Sequence, residues 1–453
     1  MPIDKAHSTP TQLHVADANT ASSAQDVADT PNESGWLCTP QPKLGTKGMV
    51  LMLSAVNIIC PLSLDMFTPA VPSLPGYFST TAEMVNFTIF GFYLLFAVGM
   101  LLFGPVCDRH GRKPVLVGSL AAFTLGSILC ATAWSIETLI VFRLIQATGA
   151  GAACAVSTAI VKDCFKPEKR TQLLTILQVL MVVGPVIAPL LGGVILMFFS
   201  WHATFVVLSF VGAICVPMTM LFRESLPENE RVDGGVRVSL MHMAGVAKNT
   251  RFMVFLLFAS LFSAPFMAYV QVASYIYIDY FGTTQQVYSY FFAATAALSL
   301  LGPLLFLKLS QSVSIRAFTY GVLFLSAAAG IVLLAVGHTS MFLFFACLAL
   351  FVTAEATIRP YCTDILLTLQ DKDTGSASAL MNFTINFVGA LGMVVVTLFA
   401  ADYIIGLGTI LMGSMLLAVI LWLTLLFKKS LSIAQLQKNA KPQEAAKTPG
   451  ATD

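Results

Sequence analysis

The sequence predicts an all-α membrane protein, with twelve transmembrane helices arranged as two six-helix bundles. Three observations carry this. The chain of 453 residues is 57% hydrophobic and only 11% charged, with mean hydropathy +0.81, whereas soluble domains carry about 25% charged residues. Apolar runs of about 20 residues, the length that crosses a hydrocarbon layer of about 30 Å, recur twelve times along it. A polar stretch, RESLPENERVDGGVRVSLMHMAGVAKNTR at 223–251, divides them six and six.

Residues 1–46 are polar, rich in Ser, Thr, Ala and Asp, and lack the charged-then-apolar layout of a secretory signal. They are expected to form a disordered cytoplasmic tail. The first bundle, 47–222, holds apolar runs near 48–72, 84–106, 114–134, 137–161, 171–199 and 201–222. After the 223–251 linker, the second bundle, 252–429, holds runs near 252–279, 287–309, 316–337, 340–361, 375–400 and 404–427. Residues 430–453 read as a second cytoplasmic tail.

Basic residues set the expected orientation. Arg109, Arg112 and Lys113 follow the second run, and Lys162, Lys166, Lys169 and Arg170 follow the fourth. Arg223, Arg231, Arg237, Lys248 and Arg251 fill the linker, Lys308 and Arg316 flank the turn after the eighth run, Lys372 follows the tenth, and Lys428 and Lys429 the twelfth. The alternate loops, near 77–83, 135–137, 200, 280–286, 338–339 and 401–403, contain no Lys or Arg. The positive-inside rule therefore places both termini in the cytoplasm.

Several function classes are excluded. The net charge of +2 comes from scattered basic residues, which gives no surface for nucleic acid. The nine cysteines stand singly, mostly within apolar runs, as small packing residues do. No GxxxxGK[ST] loop, HExxH, GxSxG or His/Cys cluster occurs, so neither ATP hydrolysis of the P-loop kind, a bound metal nor an enzyme active site is expected. Energy would come from an ion gradient rather than a cofactor.

Charged groups within apolar runs are costly and need a reason. In CPLSLDMFTPAVPSLP, residues 60–75, Asp65 ends an apolar run and Pro69, Pro72 and Pro75 follow. Arg143 lies in the fourth run, on an oppositely running helix, at a depth similar to that of Asp65. Burial makes a carboxylate expensive to ionise and a nearby cation offsets that expense, a balance that suits a group that gains and loses a proton. A fixed ion pair, or for Arg143 a tie to backbone carbonyls, is the structural alternative. Glu355 and Arg359 are four residues apart in the tenth run and share one helix face. They form either a local ion pair or a second proton-coupling or cation-recognition site. Asp279, at the end of the seventh run, is expected to be hydrated.

Three further stretches stand out. GPVCDRHGRKP at 104–114 is a tight basic turn that holds Gly104, Asp108, Arg109, Gly111 and Arg112. GPVIAPLLGG at 184–193 places Gly184, Pro185, Pro189, Gly192 and Gly193 in the fifth run, where prolines bend a helix and glycines let neighbours approach. Tyr93, Phe266, Tyr269, Gln271, Asn382 and Asn386 are aromatic or amide residues within apolar runs. Gly302-Pro303 weakly echoes Gly104-Pro105, as an internal duplication would.

The turn matches G-x-x-x-D-R-x-G-R-K and so resembles the signature loop of the major facilitator superfamily. That resemblance implies a latch, in which Asp108 and the arginines hold the two halves together on the cytoplasmic side in one conformer. It also implies that Tyr93, Phe266, Tyr269, Gln271, Asn382 and Asn386, on helices whose counterparts line the cavity in the superfamily, are candidate substrate contacts. The counterpart in the second half, LKLSQSVSIR, has lost the acid and the glycine. VFRLIQATGAGAACAVSTAIVKDCF at 141–165 is similar to the fourth-helix motif of proton-coupled members, which implies a coupling role for Arg143. APLLGG at 188–193 resembles the antiporter motif Gly-Pro-x-x-Gly-Gly, with Ala188 replacing the first glycine, and implies export. LDMFTPAVPSLP resembles the Asp-Met-Tyr-x-Pro-Ala-x-Pro signature of the bicyclomycin-resistance and chloramphenicol-exporter (Bcr/CflA) branch of twelve-helix drug:proton antiporters, which implicates Asp65 in proton coupling. Asn57 stands where some relatives carry a second acid, and Trp201-His202 where Trp-Arg is usual.

The expected function is proton-coupled multidrug efflux of lipophilic molecules across a bacterial inner membrane, by a monomer working through alternating access. A dedicated exporter of one amino acid, sugar or siderophore is the nearest alternative, and a non-transporting membrane receptor a more distant one.

Overall fold

The computed structural model describes residues 36–39, 41–231, 235–370 and 374–427. The expected C-terminal tail 430–453, Lys372, Lys428, Lys429 and the N-terminal residues 1–35 lie outside them. Among the described residues, twelve helical stretches are long and apolar enough to cross a membrane. They are Gly45–Phe78, Ala82–His110, Arg112–Ala131, Ile136–Cys164, Gln172–Phe198, His202–Leu221, Thr250–Tyr280, Gln285–Ser310, Arg316–Val336, Met341–Thr368, Gly375–Thr397 and Tyr403–Leu425. They are called the first to twelfth spans below.

Local chemistry sets where the helices begin and end. The Thr81 hydroxyl accepts the Met84 amide at 3.4 Å and opens the second span. Ser135 and Thr138 exchange hydrogen bonds of 3.3 and 3.1 Å in a capping box at the start of the fourth. Thr284, Ser314 and Ser340 cap the eighth, ninth and tenth in the same way. In the first span the α-helix ends at Asp65, and the chain continues through a 3₁₀ turn, Thr68–Ser73, that contains Pro69 and Pro72. Each proline lacks an N–H, so the ladder of i→i−4 bonds cannot continue past the carboxylate. The seventh span closes with a π-helical turn, Tyr275–Tyr280.

Within the first half, the fourth span packs against the second and third, and the fifth against the first. The halves meet where the fifth span packs on the eighth and the second on the eleventh. Among the described residues, three side-chain hydrogen bonds cross between them, in the part of the bundle nearer the loops that lack Lys and Arg. Tyr288 Oη donates to Thr68 Oγ1 at 3.0 Å, Gln286 Nε2 to the Gly193 carbonyl at 3.0 Å, and Gln271 Nε2 to the Asn86 carbonyl at 3.1 Å.

Two sequence expectations need correction at the opposite, basic end. The tail read as disordered through residue 46 is structured from Trp36 to Thr39 and from Gln41 onward. Leu37 pairs with Phe165 in an antiparallel bridge, with Cys38 N–H donating to the Cys164 carbonyl at 2.7 Å and Lys166 N–H to the Trp36 carbonyl at 3.0 Å. Gln41 makes a matched pair of bonds to the Arg223 backbone, 3.0 Å to its carbonyl and 2.8 Å from its amide, and Lys169 Nζ sits 4.6 Å from the Trp36 ring centre. Backbone bonds, one side-chain amide and one ring thus strap the segment across the fourth-to-fifth turn and the end of the sixth span. The linker, read only as polar, contains a helix, Gly235–Ala247, that packs against the second and eleventh spans.

Candidate functional site

Asp65 is the last residue of its α-helix and is buried. Among the described residues its carboxylate has no hydrogen bond or ion pair. Tyr93, Tyr288 and Cys60 are its electrostatic neighbours. Its backbone carbonyl accepts the Thr68 hydroxyl at 2.8 Å, and that hydroxyl in turn accepts from Tyr288 of the second half. The Asp65 backbone is therefore one hydrogen bond from a contact that closes the halves.

Arg143 is fully buried but does not pair with Asp65 in this conformer. Its Nη1 donates to the Ser63 carbonyl at 2.9 Å and to Gln146 Oε1 at 2.8 Å. Gln146 Nε2 passes the chain on to Ser127 Oγ at 2.8 Å, which donates to the Phe123 carbonyl at 2.8 Å. The guanidinium carbon lies 4.4 Å from the Phe92 ring centre, 5.2 Å from Phe67 and 5.5 Å from Phe205, and ring faces attract a cation more strongly when water is excluded. Nε and Nη2 have no acceptor among the described residues. A buried cation and a buried acid thus face the same stretch of the first span, each incompletely compensated. Small movements of that span would change their distance.

At the basic turn, Gly111 has φ +97°, a conformation that favours glycine, and joins the second span to the third. Arg112 bonds Asp108 and reaches Asp163 Oδ2 at 2.7 Å. The Arg112 and Lys113 amides both donate to the Glu224 carboxylate at 3.0 Å, an anion placed at the N-terminus of the third span, where unpaired amides and the helix dipole favour it. Arg109 is exposed and makes no ion pair among the described residues. Every bond of this cluster stays within the first half and the first residues of the linker, so the expected latch between the halves is not engaged here. A Cβ on Gly104 would meet nothing within 4 Å. Sequence reasoning missed Asp163 and Glu224, although both are acids flanking spans in a basic neighbourhood.

The fifth span is helical without a break through Pro185 and Pro189, from Pro167 to Phe198. Its glycines mark close contacts. A Cβ on Gly184 would lie 2.3 Å from Pro61, one on Gly192 2.1 Å from the Met66 carbonyl oxygen, and one on Gly193 2.7 Å from Ser289 Oγ in the second half. The glycine-rich face thus seats the fifth span on both the first and the eighth.

The candidate substrate contacts divide. Tyr93 is largely buried beside Asp65, and Phe266 is half-buried against the core. Tyr269 is buried, donates to Thr295 Oγ1 at 3.3 Å and stacks on Phe292, and Gln271 is spent on the Asn86 carbonyl. These last two do not line an open cavity in this conformer. Asn382 is exposed and Asn386 half-buried, and their amides donate to backbone carbonyls one turn earlier. Glu355, buried, holds Arg359, whose Nε donates to Glu355 Oε1 at 3.0 Å and whose Nη2 bonds the same oxygen. Asn86 was not foreseen. Its side-chain amide is buried with neither atom hydrogen-bonded among the described residues, and its one sequence signal is an amide near the start of an otherwise apolar span. Among the described residues no group of His, Cys, Asp and Glu could hold a metal.

The Major Facilitator Superfamily model matches residues 53–393. The chain is 37% identical over 158 residues to a chloramphenicol resistance protein of Pseudomonas aeruginosa, covering 34% of this chain and 38% of that protein. It is 27% identical over 252 residues to a bicyclomycin resistance protein homolog of Haemophilus influenzae, covering 54% of this chain and 61% of that one. The chain thus spans less than two thirds of either relative. In fold it is similar to a D-xylose-proton symporter, with TM-score 0.64 at 14% identity over 83% of this chain and 97% of that one.

Proposed function

The chain is a member of the Major Facilitator Superfamily, a multi-pass membrane transporter rather than an enzyme, and we propose that it exports lipophilic, drug-like molecules in exchange for protons. The similarity to chloramphenicol- and bicyclomycin-resistance proteins supports that substrate class. The observation that carries the proton reading is Asp65, a buried carboxylate without a partner at the end of the first helix. An isolated ionised carboxylate is very costly to bury, so in this conformer Asp65 holds a proton. Release requires a conformer in which water or the Arg143 guanidinium reaches it. By the positive-inside rule the basic end faces the cytoplasm and both termini lie there, and the similarity to bacterial resistance proteins supports a bacterial inner membrane. The three inter-half bonds then close the outer side in this conformer.

In the proposed cycle, substrate enters from the cytoplasm and displaces the proton from Asp65. The halves then rock, and the Tyr288–Thr68 and Gln286–Gly193 bonds part to open the outer side. Asp65 takes a proton from outside, and the return step brings it in. No cofactor is needed. One charge crossing about 150 mV releases ~3.5 kcal/mol, enough for a gradient of a few hundred-fold of an uncharged drug at ~1.4 kcal/mol per tenfold. The monomer suffices, because the path runs between its own halves. In proteoliposomes with chloramphenicol-like substrate at equal concentration on both sides, wild type should build up a substrate gradient only when a proton gradient is imposed. Asp65→Asn should abolish that, and full pumping by Asp65→Asn would overturn the assignment.

A further inference from the structure

One side chain in the tenth span is at odds with a wholly lipophilic cargo. Arg359 lies in the tenth span, about 14 Å along the helix from its basic end at Thr368, yet 54% of its side chain is exposed, against 7% for Glu355. A guanidinium at that depth needs an aqueous approach or an anion. Its Nε and Nη2 are both directed at one oxygen of Glu355. Nη1 has no partner among the described residues, so a forked edge of N–H donors remains open to the groove.

The groove around it is otherwise apolar or already satisfied. Phe262, Ile358, Cys362 and Ile385 line it. Ser263 Oγ donates to the Ile385 carbonyl at 2.8 Å and Thr363 Oγ1 to the Arg359 carbonyl at 3.0 Å, so neither hydroxyl proton is free for a ligand. The residues that line the groove come from the seventh, tenth and eleventh spans, all in the second half.

We propose that Arg359, braced by Glu355, is the docking cation for a planar oxyanion, and that the exported substrates include amphipathic carboxylates whose apolar body rests on the Phe262–Ile358–Ile385 wall. The inference deepens the proposed export reading and rests on it for direction. The guanidinium fork matches a carboxylate through two parallel N–H···O bonds, geometry that a Lys ammonium does not reproduce. Glu355 makes the arrangement tolerable in the membrane by neutralising the charge from its buried side. It leaves the exposed edge for cargo.

The test uses the full-length protein in lipid nanodiscs and matched probes, 1-naphthoate against 1-naphthamide and decanoate against decanamide. Each acid should bind at least tenfold more tightly than its amide. Arg359→Gln should erase that difference by weakening the acids alone, Arg359→Lys should keep part of it, and Glu355→Gln should retain it. Retained amide binding in Arg359→Gln reports that the variant is folded. Equal binding of acid and amide to wild type, a difference that survives Arg359→Gln, or no binding of either probe overturns the proposal. Proton-driven efflux of a neutral drug by Arg359→Gln is measured alongside. If it persists while the acid preference is absent from wild type, the docking site fails and the export reading stands. If it is absent from wild type too, the export reading has failed separately.

Discussion

Replacing Gly193 with Ala should pry the two halves apart at the sealed end. The added methyl would lie 2.7 Å from Ser289 Oγ and 3.3 Å from Ser289 Cβ, closer than packed carbon and oxygen atoms tolerate. The neighbouring Gln286 side-chain amide donates to the Gly193 carbonyl, and Ser289 Cβ, which cannot rotate away, would also be crowded, so relief of the contact loosens the seal. Overpacking of this kind costs about 1–3 kcal/mol. Because the clash exists only while the fifth and eighth spans are together, the cost falls on the closed-outside conformer alone. It should raise the outward-open population about 5–150-fold. Ala70, fully buried in the 3₁₀ turn after Asp65, provides the reporter. In an Ala70→Cys background, labelling by an impermeant maleimide from outside should accelerate by that factor in Gly193→Ala. Adding Ser289→Ala removes the nearer atom and should restore the slow rate. Unchanged labelling in Gly193→Ala, or no rescue by Ser289→Ala, would refute the argument that this glycine sets the seal.

Other consequences follow from the two ends of the bundle. Gln41→Ala leaves the Arg223 amide and carbonyl without their partners and should lower stability by about 1–3 kcal/mol, read as an earlier thermal transition of the purified protein. Asp402 opens the twelfth span by accepting the Ile404 and Ile405 amides at 3.0 Å each, and His338 Nε2 lies 2.8 Å from its other oxygen. Burial works against its ionisation, but the Ile405 amide, the His338 ring and the Ile404 amide outweigh it and hold the carboxyl below its usual 3.8. A depressed acid contributes stability above its unfolded value and loses it as the pH falls through the lower folded value. Asp402→Asn, which keeps a capping oxygen, should therefore cost up to about 1 kcal/mol at neutral pH. That deficit should vanish below the ordinary aspartate range in a pH series of unfolding midpoints.

The spans were legible because each is a hydrocarbon-length apolar run, and a bilayer leaves the backbone no alternative to internal hydrogen bonding. The eighth run, 287–309, for example, became Gln285–Ser310. Asp65 was legible as the acid that ends such a run. Its lack of a partner was not, because the nearest cation by sequence reasoning, Arg143, is held by the Ser63 carbonyl and by aromatic rings, and backbone acceptors leave no mark in composition. The docking of residues 36–39 and of Gln41 escaped for the same reason, since backbone bonds and one amide carry most of it. The helix Gly235–Ala247 was hidden by its polar flanks. Tyr269 and Gln271 were placed in a cavity from residue type and from the resemblance of their helix to a cavity-lining one, whereas their burial depends on which conformer the halves adopt.

The central claim is that Asp65 exchanges a proton as cargo binds. The most direct measurement is the release of protons into weakly buffered solution when a transported drug is added to purified protein at neutral pH. The account predicts release from wild type, in proportion to occupied sites, and none from Asp65→Asn that still binds the drug. Equal release from the variant, or drug binding to wild type with no release, would contradict it.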